Sequence, residues 1–309
     1  MSELLHGERA PDRMGVRPTG RASKPAGAYT RAWRRFKRNP SAMAGLVVLI
    51  AIVLFVLLAG VISTHITGFD YSENHLESVL SQPGENGYIL GSDGNGRDIL
   101  TRLAYGGRVS MLVAVLATVT TLLLGGTIGL IAGYAGGFVD SVLMRLADVF
   151  LSIPALSILI LIAALYRPDQ YRLSLVIAFV LWPGVSRLLR GEALALRRRD
   201  YIEAARAVGA GDARIISRHL LPNVLPTIIV WSSLVIPAFI LTEAALSFLG
   251  LGVRSPTPSW GNMLSEAQPF YRSNWTNVFF PGLAIFLTAL SVNLVGNGLR
   301  DALDPRLEK

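Results

Sequence analysis

Residues 187–223 read RLLRGEALALRRRDYIEAARAVGAGDARIISRHLLPN, a charge-rich stretch lying between strongly apolar ones. Asp200, Tyr201, Ile202 and Glu203 have the spacing of a capping box. In it the Asp200 carboxylate accepts the Glu203 backbone N–H and the Glu203 side chain reaches back to Asp200. That spacing predicts a short helix from Tyr201 to about Val208. Gly209, Ala210 and Gly211 end it, because glycine accepts backbone angles that other residues resist. Asp212 then caps a second short helix over 213–221, and Pro222, which lacks an N–H, suits the start of the next segment. The stretch reads as two short helices and a bend held between two membrane spans. Helix chemistry alone fits a solvated hairpin equally well, with Glu203 a cap and the arginines holding the loop on one side.

Outward from the bend the chain is apolar in both directions. Upstream, 173–189 reads as a fourth span bent at Pro183-Gly184. Downstream, 224–249 reads as a fifth span containing Pro226, Pro237 and Glu243. A third span over 139–166 carries Arg145 and Asp148, three apart and so able to pair on one helical face, and Pro154 kinks it. A second span over 109–134 ends in a cluster of Gly125, Gly126, Gly129 and Gly133, small residues that let helices approach closely in a bilayer. The first span, 42–62, has no charged residue and is long enough for about 30 Å of hydrocarbon; it reads as an uncleaved anchor. The sixth is 278–299. Between spans lie 65–107, where 98–105 reads as an amphipathic surface helix with Ile99, Leu100 and Leu103 toward lipid, and 250–276. At the start, AWRRFKR (32–38) suits an inner membrane surface with anionic headgroups.

Composition agrees with this layout. The 309 residues are 51% hydrophobic and 16% charged, with mean hydropathy +0.47, too apolar for a soluble domain of that length. There are no cysteines, which removes disulfides, thiolate metal sites and cysteine nucleophiles. The net charge is +8. Segments 1–44, 187–219 and 300–309 together hold 21 Lys+Arg, against 6 in 65–107, 167–172 and 250–276. By the positive-inside rule this places both termini and the bend in the cytoplasm, and it accounts for the basic charge without nucleic acid.

Two motifs then carry a resemblance. Glu203-Ala204-Ala205, three residues, Gly209, nine residues and His219-Leu220-Leu221-Pro222-Asn223 resembles the EAA loop of the membrane subunits of binding-protein-dependent ABC importers. L-G-S-D-x-x-G-R-D-x-L-x-R-x-x-Y-G-x-R over 90–108, Leu246–Gly250 and the run from Gly296 to Pro305 resemble the dipeptide and oligopeptide branch, so the likeness runs from about Arg31 to Arg306. The resemblance implies an all-α integral membrane protein with six transmembrane helices, N-in/C-in, of the type I importer permease (MetI-like) fold. It divides the chain into a cytoplasmic tail with a basic interfacial segment (1–40), the first transmembrane helix and outer segment (41–107), a five-helix permease core with the loop at 190–223 (108–300), and a cytoplasmic C-terminal tail (301–309). It implies a heterodimer with a second, homologous permease, two ABC ATPase subunits inside, a solute-binding protein outside and a location in the bacterial cytoplasmic membrane among its lipids. The residues expected to couple to the ATPase are Asp200, Glu203, Ala204, Ala205, Arg206, Gly209, Arg214, His219, Leu221 and Pro222. Arg206, Arg214 and Arg218 would meet acidic groups there or stay solvated.

The chain lacks a GxxxxGK[ST] run, so ATP and Mg are expected on the partner ATPases, with no cofactor in this chain. GVRPTGRAS (15–23) mimics a phosphate loop but has Arg21-Ala22 where Lys-Ser/Thr is needed. His65, Asp70, Glu73 and His75 lack a metal-ligand spacing. HExxH and G-x-S-x-G are missing as well, so a non-catalytic subunit is expected. Intramembrane charges default to functional candidates; Glu243 lines a polar path or bonds a neighbouring helix, and Asp148 with Arg145 reads as a structural pair. Two other readings share these residues. One is the same machinery moving nickel, a glycan or another small solute. The other is a secondary carrier or intramembrane enzyme using Glu243 and Asp148.

Overall fold

The computed structural model describes residues 28–166 and 168–303. The phosphate-loop mimic and most of 301–309 lie outside the described residues. Among the described residues every regular element is a helix, joined by loops that contain one isolated bridge between Ser92 and Asp98.

The amphipathic helix α1 (Ala28–Arg38) stops at Asn39, whose side chain accepts the Ala42 N–H at 3.2 Å and so caps α2 (Pro40–Leu57). Pro40 sits in the first turn, where its missing N–H costs nothing. A short α3 (Ala59–Val61) and a π-helical turn over Ile62–Thr67 carry the first span into the polar excursion. Five helices, or six if one bent pair is counted as a span, are long and apolar enough to cross a membrane.

The second of these differs from the expectation. Asp98 caps α4 (Ile99–Thr121), which continues through a π-helical turn over Leu122–Gly126 into α5 (Thr127–Ala135). There is no separate surface helix: Ile99 and Leu103 are buried in the main core with Val113 and Trp260. An apolar face reads the same in sequence whether lipid or protein covers it. Next, α6 (Gly137–Leu151) and α7 (Ala155–Tyr166) meet at 78° across residues 152–154, so the bend expected at Pro154 is present as a full break in the helix. By contrast α8 (Gln170–Leu196) runs through Pro183 without interruption. RGEALAL therefore belongs to a span helix, and the bend begins near Arg197 rather than at 190.

The bend itself is α9 (Asp200–Ala207) and α10 (Asp212–Ile215). A π-helical turn over Ile216–Leu220 then joins α11 (Leu221–Phe248), with Pro222 in its first turn. The second short helix thus merges into the fifth span instead of ending before Pro222. In the loop over 250–276 the sequence reading missed α12 (Trp260–Ala267), although Ser259 and Asn262 form a complete capping box. Finally, α13 (Thr276–Leu303) packs along α2 and α11.

The glycine stripe has a definite partner. A Cβ at Gly125, Gly129 or Gly133 would lie 2.3 Å from Trp182 O, 2.3 Å from Ser186 O and 2.6 Å from Arg190 O, respectively. The α5 and α8 backbones therefore touch, and four-residue spacing keeps the small side on α8 for three turns. At the end of the bundle where α8 runs into the bend, Leu188, Pro226, Arg300 and Leu303 line one cavity. Phe36 of α1 inserts against Ala42, Gly298 and Ala302. The bend, α1 and the last turn of α13 thus share one end of the molecule.

Candidate functional site

The elbow formed by α9 and α10 has one buried side and one open side. Ile202 and Ile215 are fully buried, in a cluster with Leu130, Tyr134, Leu189, Ala193, Leu220 and Val224. This core is continuous with α5, α8 and α11, so the elbow is keyed into three spans. The open side carries Ala204, Ala207, Gly209, Ala213, Arg214, Arg218 and Pro222, all exposed. Val208 stands 85% exposed at its tip. Of the remaining expected residues, Ala205 is half-buried, Leu221 is exposed, and His219 lies with its ring centroid 6.5 Å from that of Tyr201.

The bend is a Schellman turn. The Ala210 N–H donates to Ala205 O at 3.0 Å, the Gly209 N–H donates to Arg206 O at 2.9 Å, and Gly209 has φ +82°. The capping box is not formed. Arg199 is the N-cap residue, and its carbonyl accepts the Glu203 N–H at 3.2 Å. Asp200 and Glu203 sit inside the first turn, where they offset the positive end of the helix without bonding to it. Likewise Gly211, not Asp212, is the N-cap residue of α10. Asp212 instead accepts a 2.7 Å hydrogen bond from the Tyr134 hydroxyl. Arg206 is exposed, and its guanidinium also lies over the Tyr134 ring, 5.1 Å from the centroid.

Arginines of α8 staple the hairpin of α5 and α6. Arg190 forms a two-pronged contact to Asp140 at 2.5 and 2.6 Å. Arg187 pairs with Asp148, so Asp148 is not the partner of Arg145. A partner on another helix outcompeted the same-helix neighbour that spacing suggested. Arg197 Nη1 donates to the carbonyls of Gly133 and Tyr134, both at 3.4 Å. It occupies the space where a Cβ of Gly136 (φ +67°) would lie, 2.3 Å away.

Glu243 is fully buried. It accepts hydrogen bonds from Ser110 at 2.7 Å and Ser247 at 2.6 Å, and Ser110 Oγ in turn accepts the Trp260 N–H at 3.2 Å. This one carboxyl therefore bolts α4, α11 and α12 together. Asp148 belongs to a different neighbourhood, on the edge facing α8, so the two carboxylates do not form a shared proton path. At the end away from the elbow, Arg97 and Arg102 are 3% and 1% exposed and both contact Asp93 Oδ2 and Glu266 Oε2. Nearby Asp98 is fully buried and accepts the Thr101 N–H at 2.7 Å, while its Oδ1 has no partner. Burial pushes the Asp98 carboxyl above its ordinary value. Sequence reading placed Arg97 and Arg102 in a motif but could not show that both reach Glu266, 169 and 164 residues away.

A bundle with helices of membrane-crossing length, with an exposed elbow whose buried face is continuous with three of them, defines a membrane protein. Comparison with known families gives that class its identity. Residues 125–309 match the family described as binding-protein-dependent transport system inner membrane component, and the chain belongs to that family. Residues 29–83 match the N-terminal TM domain of oligopeptide transport permease C. Among relatives, the chain is 39% identical over 280 residues to the dipeptide transport system permease protein DppC of Alkalihalophilus pseudofirmus, covering 91% of this chain and 90% of the relative. It is 40% identical over 277 residues to the oligopeptide transport system permease protein OppC of Escherichia coli K12, covering 89% and 90%. With DppC of Bacillus subtilis it shares 38% over 289 residues, covering 93% and 88%. The chain is an inner-membrane permease subunit.

Proposed function

We propose that this permease passes dipeptides or oligopeptides across the cytoplasmic membrane as one half of the channel of an ATP-driven importer. The dipeptide and oligopeptide names of its relatives favour peptide over nickel or another small solute. In this reading there are six spans, with α6 and α7 counting as one, and both termini lie inside. The shared end of α1, the elbow and α13, together with the arginine bias, supports that orientation. The partners are a second, homologous permease, two ATPases that hold ATP and Mg, and an outer solute-binding protein.

The observation that carries the proposal is the two-sided elbow: a buried face continuous with the spans, and an exposed face of small residues and Val208. Small side chains allow a groove on another subunit to close around the elbow. ATP-driven closure of the ATPases would then move the elbow as a unit and re-tilt the spans to which it is keyed. Glu243 and Asp148 hold helices together and move no proton in this scheme. The test is to purify the permease pair in mild detergent with co-expressed ATPases and reconstitute it. Retained ATPases and ATP-dependent peptide uptake are expected. Full uptake by the permease pair with no ATPase bound would overturn the proposal.

A further inference from the structure

We propose that Tyr134 is the latch through which movement of the elbow enters the bundle, a positioning residue for transport. This rests on the docking role assigned above. Tyr134 lies in the last turn of α5 and is 6% exposed. Its hydroxyl donates to Asp212 Oδ1 at 2.7 Å, in the first turn of α10. Arg206 of α9 stacks over its ring at 5.1 Å and reaches its hydroxyl through Nε at 3.4 Å. One side chain therefore holds both limbs of the elbow, on either side of the Gly209 turn.

What lies behind the latch is rigid. Gly125, Gly129 and Gly133 put the α5 backbone directly on that of α8. Arg197 closes the end of α5 by bonding the carbonyls of Gly133 and Tyr134. Displacement of Tyr134 thus displaces α5 and α8 as one body. The elbow and α5 also share an apolar cluster that includes Leu130, Ile202 and Ile215. Such contact holds position without fixing direction. The bond to Asp212 adds direction, because a hydrogen bond weakens steeply once its angle is lost. Without it, the elbow can pivot about Gly209 while α5 stays behind.

The experiment uses Tyr134→Phe, which removes the hydroxyl and keeps the packed ring, in the complete importer reconstituted in nanodiscs and proteoliposomes. Amide hydrogen exchange across 201–216 is expected to speed up by about 3- to 10-fold, the loss of one hydrogen bond. ATPase retention should not change, and peptide taken up per ATP hydrolysed should fall. Asp212→Asn keeps an acceptor oxygen and is expected to preserve the ratio, while Asp212→Leu reproduces the loss. Unaltered exchange in Tyr134→Phe, or faster exchange with an unaltered uptake-to-ATP ratio, overturns the latch. Failure of the docking role shows elsewhere, as loss of ATPase from the wild-type complex, and the exchange measurement reads the latch even then.

Discussion

Replacing Gly209 isolates the backbone geometry of the elbow from its packing. At φ +82° the residue occupies the left-handed region, and no atom lies within 4 Å of where a Cβ would be built. Gly209→Ala therefore meets no neighbour, and its cost is entirely local. A left-handed conformation costs an L-residue about 1–2 kcal/mol, which lowers the ratio of bent to unbent elbow by a factor of about 5–30. If the ATPase binds only the bent form, its apparent affinity falls by up to that factor. Asparagine tolerates the region better than alanine, and valine tolerates it worse. Proline adds two faults: it locks φ near −65° and deletes the N–H that donates to Arg206 O at 2.9 Å. The assay is binding of purified ATPase to the permease pair in nanodiscs, with uptake measured in parallel. The expected order of affinity is Gly, Asn, Ala, Val, Pro. Folded Ala, Val and Pro variants that bind and transport like Gly209 would refute the claim that the Schellman turn shapes the docking surface.

Three further outcomes follow from the packing. Glu243→Ala leaves the Ser110 and Ser247 hydroxyls without their acceptor, at about 1–3 kcal/mol for each buried group left unpaired, and should lower thermal stability in detergent. Glu243→Gln keeps an acceptor and should transport normally; abolished transport in a stable Gln variant would point to proton chemistry. Gly129→Leu forces the α5 backbone off Ser186 and should cost folded yield, whereas Gly184→Ala, with nothing within 4 Å of the added carbon, should not; equal yields by size-exclusion chromatography would contradict the helix contact. Asp98 titrates above its ordinary value of 3.8 because burial disfavours its charge. Its protonation therefore contributes stability that is complete below 3.8 and is lost as pH rises through the raised value. Asp98→Asn should flatten the fall of melting temperature with rising pH, and an identical pH profile in both proteins would exclude this cause.

Several sequence expectations failed for one reason: local spacing does not name the partner. Asp200 and Glu203 have capping-box spacing, yet the helix starts one residue earlier because the Arg199 carbonyl takes the Glu203 N–H. Asp148 sits three residues from Arg145, yet pairs with Arg187 of α8. Ile99 and Leu103 form an apolar face, yet Trp260 and its neighbours cover it rather than lipid. Asp212 looked like a cap, yet it receives the hydroxyl of Tyr134, 78 residues away.

The sequence by itself determined the membrane class, the approximate positions of the long helices, the bend at Gly209 and the family motifs. Each depends on composition or on residues within a few turns of one another, where apolar length, glycine freedom and charge bias act locally. Only the tertiary structure decided which helix the glycine stripe faces, that Glu243 joins three helices, that two buried arginines share Asp93 and Glu266, and that Tyr134 grips both limbs of the elbow. Each of those arrangements depends on at least one contact between residues far apart along the chain. They are selected by which surfaces meet when the helices pack, and no local pattern carries that information.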